Sequence, residues 1–173
     1  TMDQILHKMM KESDNLYAES MYYQIAASTG NRPASAKSAR NVERQLIRKI
    51  GLDPARYKLA DGSGLSLYNY LSAELEVAML RYAFRNDNIK QHLIHSLPIA
   101  GVDGTLKKRM RSGSAHGNVK AKTGTLTGII SLAGYCTAAN GHELCFSIIN
   151  NGIMHGSNAR NFADKVCKLL CQP

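Results

Sequence analysis

The feature that most constrains the fold of this chain is a change in hydrophobic periodicity near Gly113. Before that glycine, apolar residues recur every three or four positions, as they do on the buried face of an α-helix. After it, short runs rich in β-branched and aromatic residues alternate with glycines, which is typical of strands joined by tight turns. The pattern predicts an α+β fold with a mostly helical first half, then three antiparallel strands and a C-terminal helix.

The individual elements follow from apolar spacing and from residues that favour helix ends. In the first half, helices are predicted on both sides of a polar corner at 12–15, over 36–50, after Ser72, and around His92 and His95. In the second half, strands are predicted over 118–125, 128–138 and 142–151, with a helix over 157–170. Since a domain has about 150 residues, a chain of 173 residues without a repeat or linker is predicted to form one domain, 1–173.

The net charge favours an anionic partner but does not identify it. The chain has 22 Lys and Arg against 13 Asp and Glu, a formal charge of +9, which suits nucleic acid, a membrane surface or a cell-wall polymer. No aromatic residues interleave with the basic run Lys107-Lys108-Arg109 and Arg111, so we expect a solvated face there and no nucleic-acid partner. The sequence has no stretch of 18 apolar residues and no leader-like start, so no transmembrane segment is predicted.

Two tripeptides carry residue types that nucleophilic catalysis uses: Ser13-Asp14-Asn15 at the polar corner and Lys122-Thr123-Gly124 on the first predicted strand. A serine hydroxyl both donates and accepts a proton, and a lysine supplies a positive charge that favours a carboxylate. Each tripeptide alone has a plain structural explanation, because Ser, Asp and Asn also cap helices and lysine is common on edge strands. Their occurrence together, in this order, is what indicates an active site.

Other stretches extend the pattern from about Lys11 to Gly152, and together they resemble one family. The chain resembles the class C low-molecular-mass penicillin-binding proteins, the D-alanyl-D-alanine carboxypeptidase/endopeptidase family. This implies part of the serine β-lactamase/penicillin-binding transpeptidase fold. One departure is Leu67, where that family is expected to have arginine. The stretches are Asp61-Gly62-Ser63-Gly64-Leu65-Ser66, 96–106, 121–128 and Leu132-Ala133-Gly134-Tyr135.

The resemblance assigns roles to individual residues. Ser13 would relay a proton to the leaving amine, Asn15 would hold a substrate carbonyl, and Lys122 would favour the terminal carboxylate of the substrate. Thr123, Gly124 and Thr125 would bind substrate along the strand, and the backbone N–H of Thr125 would be an oxyanion-hole donor. Asp61 and Ser63 form a turn and are weaker candidates for a substrate contact. Gly124 has no side chain, so we expect it to leave room for the substrate beside Lys122.

The nucleophile of this chemistry, the serine of a Ser-x-x-Lys motif, does not occur in the 173 residues. The resemblance places that motif upstream, so we expect the carboxy-terminal part of a longer, exported or periplasmic protein that binds peptidoglycan peptides and β-lactams. The sheet would be incomplete without the missing amino-terminal part, and the fragment would be inactive alone and prone to self-association. A non-catalytic module that binds cell-wall peptide and, less favoured, a basic nucleic-acid-binding domain remain the alternatives. A β-lactamase is disfavoured because a Glu-x-x-Leu-Asn segment is absent.

The sequence predicts no metal site and no cofactor. His92 and His95 lie three residues apart, but no carboxylate or cysteine with suitable spacing accompanies them. Of the four cysteines, Cys136 and Cys145 would face each other if Asn140-Gly141 formed a two-residue hairpin loop. In an oxidising compartment a disulfide between them is one alternative, and free buried thiols are the other, favoured one.

Overall fold

Six α-helices and three β-strands form the part of the chain that the computed structural model describes, residues 1–30 and 32–172. The sheet is antiparallel, with strand order β1-β2-β3. The predicted α+β organisation is confirmed. The helices are α1 (Met2–Lys11), α2 (Asn15–Ala27), α3 (Ala36–Lys49), α4 (Ala73–Phe84), α5 (Asp87–Ser96) and α6 (Gly156–Leu170), and the strands are β1 (Lys120–Leu126), β2 (Ile129–Thr137) and β3 (Glu143–Asn151).

Side-chain caps explain where several helices begin. Thr1 accepts a hydrogen bond from the Gln4 N–H, and the Gln4 side chain completes a capping box at the start of α1. Asp14 accepts from the Tyr17 N–H at 3.1 Å and caps α2. The Ser72 hydroxyl accepts from the Leu75 N–H at 3.2 Å, as predicted for the start of α4. No helix among the described residues is long and apolar enough to cross a bilayer.

The chain divides into two compact units. The first consists of Thr1–Ser13 together with the residues from Ala83 onward, and the second is Asp14–Tyr82. The boundary falls inside the tripeptide Ser13-Asp14-Asn15, between its first two residues. A single domain over 1–173 therefore stays a prediction.

In the first unit, one face of the sheet packs against α6. Alternate residues of the strands point toward this helix, including Ala121, Leu132 and Phe146, and α6 contributes Ala163 and Cys167 at helical spacing. All five are buried in a single apolar cluster. The opposite face of the sheet carries Lys122 and Tyr135, because residues of opposite parity along each strand point away from α6.

The β2–β3 hairpin has a three-residue loop in place of the predicted two-residue loop. Ala138 pairs with His142 through a 2.9 Å bond from the Ala138 N–H to the His142 carbonyl. The Gly141 N–H donates to the Ala138 carbonyl at 2.9 Å, and Gly141 has a φ of +83°. This geometry is that of a tight turn followed by a left-handed residue, which is the common way to close a three-residue hairpin.

The extra loop residue changes the strand register and overturns the predicted cysteine pairing. Cys136 lies opposite Leu144, and Cys145 lies opposite Tyr135. Because a shift of one residue moves a side chain to the other face of a sheet, Cys136 and Cys145 point in opposite directions. The predicted cross-strand pairing of Cys136 with Cys145 is wrong, which removes the disulfide alternative between them, and the four cysteines, all of which lie in the described residues, are free.

The second unit is helical, with a long irregular segment after α3. Helices α2 and α3 pack through Tyr22, Ala26 and Ala39. A separate cluster around Ile47, Tyr57 and Leu75 holds the segment after α3 against α3 and α4.

Candidate active site

Ser13 occupies the corner between α1 and α2 in a backbone conformation that few non-glycine residues adopt. Its φ is +58°, in the left-handed region. Such a conformation persists only where the surroundings hold it, and it is found most often at functional sites. The corner turns the Ser13 side chain out of the helical path, where its hydroxyl meets Lys122.

Lys122, on β1, contacts Ser13 directly. Its Nζ donates to the Ser13 Oγ at 2.6 Å and to the Thr123 carbonyl oxygen at 2.7 Å. Burial lowers the pKa of the Lys122 ammonium, because removing the charged form from water is unfavourable. A lysine with a lowered pKa and a hydroxyl within hydrogen-bonding distance can exchange a proton, so the structure brings together two of the three predicted catalytic residues.

The outer edge of β1 is partly covered and partly open. The Ala121 N–H donates outward to the Pro98 carbonyl at 3.0 Å. Because backbone groups of a strand alternate in direction, the N–H groups of Thr123 and Thr125 also point to the outer side, beyond the Pro98 contact. The direction of the Thr125 N–H agrees with its expected role as an oxyanion-hole donor.

The two threonines of this strand differ in their environments. The Thr123 Oγ1 donates to the Thr105 Oγ1 at 2.9 Å, where Thr105 lies in the 3-10 turn Gly104–Leu106. Thr125 is exposed to solvent. Sequence reasoning missed Thr105, although it lies within a stretch that carries the family resemblance, because a threonine in a turn has no chemical signature of its own.

Gly124 is required by the neighbouring strand, and the space beside it is not empty. A Cβ at this position would lie 2.3 Å from the Oγ of Ser131, which is its partner on β2. The Ser131 hydroxyl therefore lies where a side chain at position 124 would begin, and the substrate contact at Gly124 stays a prediction.

An ion pair between a buried lysine and a half-exposed aspartate, which the sequence did not indicate, anchors the end of α1 two residues before Ser13. The Lys11 Nζ contacts the Asp103 Oδ2 at 2.5 Å, and the Lys11 side chain is only 6% exposed. The other oxygen of Asp103 accepts a hydrogen bond from the Ile99 N–H at 2.8 Å. The segment containing Ile99 also pairs with β1 through a bridge to Lys120. The pair therefore connects the helix that leads to Ser13 with the segment that flanks β1.

Asn15, Asp61 and Ser63 belong to the second unit. Asn15 is the exposed first residue of α2. Both oxygens of the Asp61 carboxylate hold the turn that it starts: Oδ1 accepts from the Gly64 N–H at 2.9 Å, and Oδ2 accepts from the Ser66 N–H at 2.7 Å. The Ser63 N–H donates to the Glu19 Oε1 at 2.9 Å. These contacts give Asp61 a structural role in the turn, while the substrate contacts of Asp61 and Ser63 stay predictions.

Two other groups of residues from the sequence analysis have structural partners. Arg109, from the basic run, donates to the Asp164 carboxylate through Nε at 3.0 Å and Nη2 at 2.7 Å, and this joins it to α6. The His92 Nδ1 lies 2.6 Å from the Asp3 Oδ1. In residues 1–30 and 32–172, three or more His, Cys, Asp or Glu side chains do not converge in a way that could hold a metal ion.

Sequence comparison identifies similar proteins with stated activities. Residues 1–172 match the model of the D-Ala-D-Ala carboxypeptidase 3 (S13) family. The D-alanyl-D-alanine carboxypeptidase DacB of Haemophilus influenzae is 39% identical over 154 residues, which are 88% of this chain and 32% of the relative. A D-alanyl-D-alanine carboxypeptidase of an Actinomadura species is 40% identical over 156 residues, 87% of this chain and 28% of the relative.

Structure comparison agrees with the sequence matches. The crystal structure of penicillin binding protein 4 from Haemophilus influenzae superposes with a TM-score of 0.84 at 35% identity, over 95% of this chain and 39% of that one. The extended-spectrum β-lactamase TLA-3 has a TM-score of 0.68 at 17% identity, over 99% of this chain and 62% of that one, which shows a shared fold alone. The chain spans about a third of the length of the curated relatives it matches.

Proposed function

Because this chain belongs to the D-Ala-D-Ala carboxypeptidase 3 (S13) family, we propose that it supplies two of the three catalytic motifs of a serine-type D-Ala-D-Ala carboxypeptidase/endopeptidase. The observation that carries the proposal is the 2.6 Å contact between the Lys122 Nζ and the Ser13 Oγ. These are members of two motifs separated by more than a hundred residues in the sequence. Their contact supports a common catalytic role over the helix-cap and solvated-strand alternatives.

The proposed reaction is acyl transfer on a peptidoglycan peptide. A serine from the upstream part of the protein attacks the carbonyl carbon of the penultimate D-alanine and gives its proton to the lysine of the same Ser-x-x-Lys motif. The new C–O bond forms, and the peptide C–N bond breaks. The departing amine takes a proton through the Ser13 hydroxyl, which Lys122 orients and can resupply. Water then attacks the acyl-enzyme and releases the shortened peptide. A β-lactam would acylate the same serine.

Substrate binding is assigned to the open part of the β1 edge. The peptide would lie along Thr123 and Thr125 as an added strand, with main-chain hydrogen bonds providing affinity. The positive charge of Lys122 would attract the terminal carboxylate, and the Thr125 N–H would donate to the oxyanion. By the family resemblance, Asn15 would hold a carbonyl of the substrate.

The other partner is the amino-terminal part of the same protein. In the described residues, β3 pairs on one side only, with β2, so its other edge is free to accept a further strand. The same part would bring the serine nucleophile. Because the substrate is a cell-wall peptide, the protein would be exported or periplasmic, and neither nucleic acid nor a cofactor is part of the proposal.

The test uses the full-length protein that contains this chain, with release of D-alanine from a synthetic pentapeptide as the readout. We expect release by the full-length protein, loss of release in the Ser13→Ala variant, and none from the 173-residue chain alone. Peptide that binds reversibly but is never cleaved by the full-length protein would instead establish a non-catalytic binding module. Activity that is unchanged in Ser13→Ala would contradict the assigned proton relay.

A further inference from the structure

A cleft of the second unit lies between α3 and the irregular segment that follows this helix. Its volume is about 410 Å³, and all of its lining residues fall within Asp14–Tyr82. Helix α3 lines it with Arg40, Glu43 and Arg44, and the segment after α3 lines it with residues 57–60 and Tyr68. Sites for small organic ligands have volumes of about 300–1,000 Å³, so the cleft is large enough for one.

The fold of the unit fixes both walls of this cleft. On α3, the lining residues Arg40, Arg44 and Ile47 are spaced three or four positions apart, so they share one face of the helix. On the other wall, Lys58 pairs with Tyr70 through two backbone hydrogen bonds of 2.9 and 2.7 Å. Ile47 also belongs to the buried cluster that holds this segment against α3. The cleft is therefore preformed.

Two buried oxygen atoms of the lining residues have no hydrogen-bond partner. They are the Glu43 Oε2 and the Tyr57 hydroxyl, and within residues 1–30 and 32–172 they are the buried side-chain atoms left in this state. The Tyr57 side chain belongs to a residue that is only 8% exposed. Leaving a buried polar group unpaired costs free energy, so each such group requires an explanation. A ligand that supplies the missing hydrogen bonds is one that explains both.

The other lining residues define the charge of that ligand. Arg44 and Lys58 are exposed and positively charged, so they favour an anion. Arginine in particular binds a carboxylate through two parallel hydrogen bonds. The Tyr68 ring is 66% exposed and lies 4.9 Å from the Lys58 Nζ, which places a flat apolar surface next to the positive charge.

The combination of groups excludes simpler ligands. An inorganic anion or acetate would bind the positive charges and leave the two buried oxygens unpaired. A hydrocarbon acid would fill the apolar part of the cleft, which includes Ile47 and Leu59, and would also leave those oxygens unpaired. A ring that carries both hydroxyl groups and a carboxylate can satisfy all of these groups.

We propose that this cleft binds an acidic sugar, a pyranose that carries a carboxylate in the manner of a uronic acid. The carboxylate contacts Arg44 and Lys58, and one face of the ring lies against Tyr68. Two ring hydroxyls pair with the Tyr57 hydroxyl and the Glu43 carboxyl after small rotations of these side chains, which are common on binding. The site does not depend on the acyl transfer proposed above.

The Glu43 carboxyl does not exclude an anion from the cleft. Burial raises its pKa to about 7, and Arg40 nearby opposes part of that rise. At pH 6 the carboxyl is therefore mostly neutral, and a neutral carboxyl can donate a hydrogen bond to a ring hydroxyl. Binding is best measured at this pH.

The test is isothermal titration calorimetry at pH 6 with the full-length protein that contains this chain. The probe is methyl β-D-glucuronide, and its matched control is methyl β-D-glucoside, which has a CH₂OH group in place of the carboxylate. We expect the glucuronide to bind about tenfold or more tightly than the glucoside. Equal affinities for the two sugars would overturn the proposal, and so would acetate that binds as tightly as the glucuronide.

Variants place the binding in this cleft. Tyr57→Phe removes only a hydroxyl that lacks a partner, so it should weaken glucuronide binding about threefold or more without lowering the melting temperature. Arg44→Met should weaken binding about tenfold. Arg48→Met, exposed on the next turn of α3 and outside the lining, should bind at the parent affinity. Parent affinity in Tyr57→Phe, or equal losses in Arg44→Met and Arg48→Met, would overturn the assignment.

Discussion

At the scale of single residues, the proposed catalytic role of Lys122 is accompanied by a cost in stability. Its pKa is lowered by burial, so the folded state penalises the charged form that predominates at neutral pH in the unfolded chain. The penalty is present below the folded pKa and is relieved as the pH rises through it toward the ordinary value of 10.5. Active sites often retain such a cost, because the function requires it.

Replacing Lys122 by methionine should therefore stabilise the chain. We expect Lys122→Met to raise the melting temperature at pH 7 by about 2 °C or more, with a gain that shrinks as the pH approaches 10. Thermal unfolding followed by circular dichroism measures the shift. Lys107→Met, at an exposed position, is the matched control and should change the melting temperature little. A lower melting temperature for Lys122→Met would mean that its hydrogen bonds outweigh the burial penalty.

Glu43, on α3 in the second unit, also destabilises the folded state because its charged form is buried. This destabilisation grows as the pH rises, whereas that of Lys122 declines. Burial raises the pKa of its carboxyl from the ordinary value of 4.5 to about 7, and Arg40 nearby opposes part of that rise. Its Oε2 is buried and has no hydrogen-bond partner among the described residues. Between pH 4.5 and 7 the unfolded chain loses this proton before the folded chain does, so stability falls as the pH rises.

The Glu43→Gln variant should remove that pH dependence. We expect its melting temperature, relative to the parent chain, to increase from pH 4.5 to pH 7 and then to stay level. Glu74→Gln, at an exposed position of the same unit, is the control. A difference between Glu43→Gln and the parent that does not change with pH would contradict the raised pKa.

The residues of the candidate site were predictable to different degrees. Ser13 and Lys122 were found because their tripeptides are chemically distinctive and occur in the order seen in serine penicillin-binding proteins. Lys11 was not found, because a lysine at the end of an amphipathic helix normally lies in water, and only the tertiary structure shows that it is buried against Asp103.

At the scale of elements, the Lys11–Asp103 pair fixes the end of α1, and so the Ser13 corner, against the segment that flanks β1. Asp103→Asn leaves the buried Lys11 ammonium without a charged partner, so we expect a loss of about 1–3 kcal/mol in the free energy of unfolding. Lys11→Met replaces the charge by apolar atoms of similar size and should cost less. Denaturant titration measures both.

A second ion pair of α1 provides the comparison. Lys8 and Glu12 form an exposed i,i+4 pair on the same helix, and Glu12→Gln should cost less than about 0.5 kcal/mol. If Asp103→Asn cost no more than Glu12→Gln, the buried pair would not be what holds the corner.

In the β2–β3 hairpin, the sequence predicted the strands but not the length of the loop that joins them. The strands were predicted within a few residues of their bounds, because glycines punctuate runs of β-branched residues. The loop length was not predicted, since Asn140-Gly141 fits both a two-residue loop and the observed three-residue loop that ends on a left-handed Gly141. Because of that one-residue difference, Cys136 and Cys145 point to opposite faces of the sheet. The conformation of the turn therefore determines whether these two side chains can meet.

At the scale of the whole molecule, surfaces that a larger protein would cover are exposed. Phe162 and Leu169, on α6, are 53% and 67% exposed, and the outer edge of β3 lacks a partner strand among the described residues. We expect the isolated chain to self-associate. The double variant Phe162→Lys/Leu169→Lys should self-associate less. Light scattering over a concentration series measures it. A chain that stays monomeric at high concentration would show that these surfaces need no cover.

The central claim is that Lys122 acts in the reaction of the full-length protein. Its most direct test is the rate at which a fluorescent penicillin labels that protein covalently. We predict that Lys122→Met slows labelling by about a hundredfold or more, while Lys107→Met labels at the parent rate. Labelling of Lys122→Met at the parent rate would contradict the account.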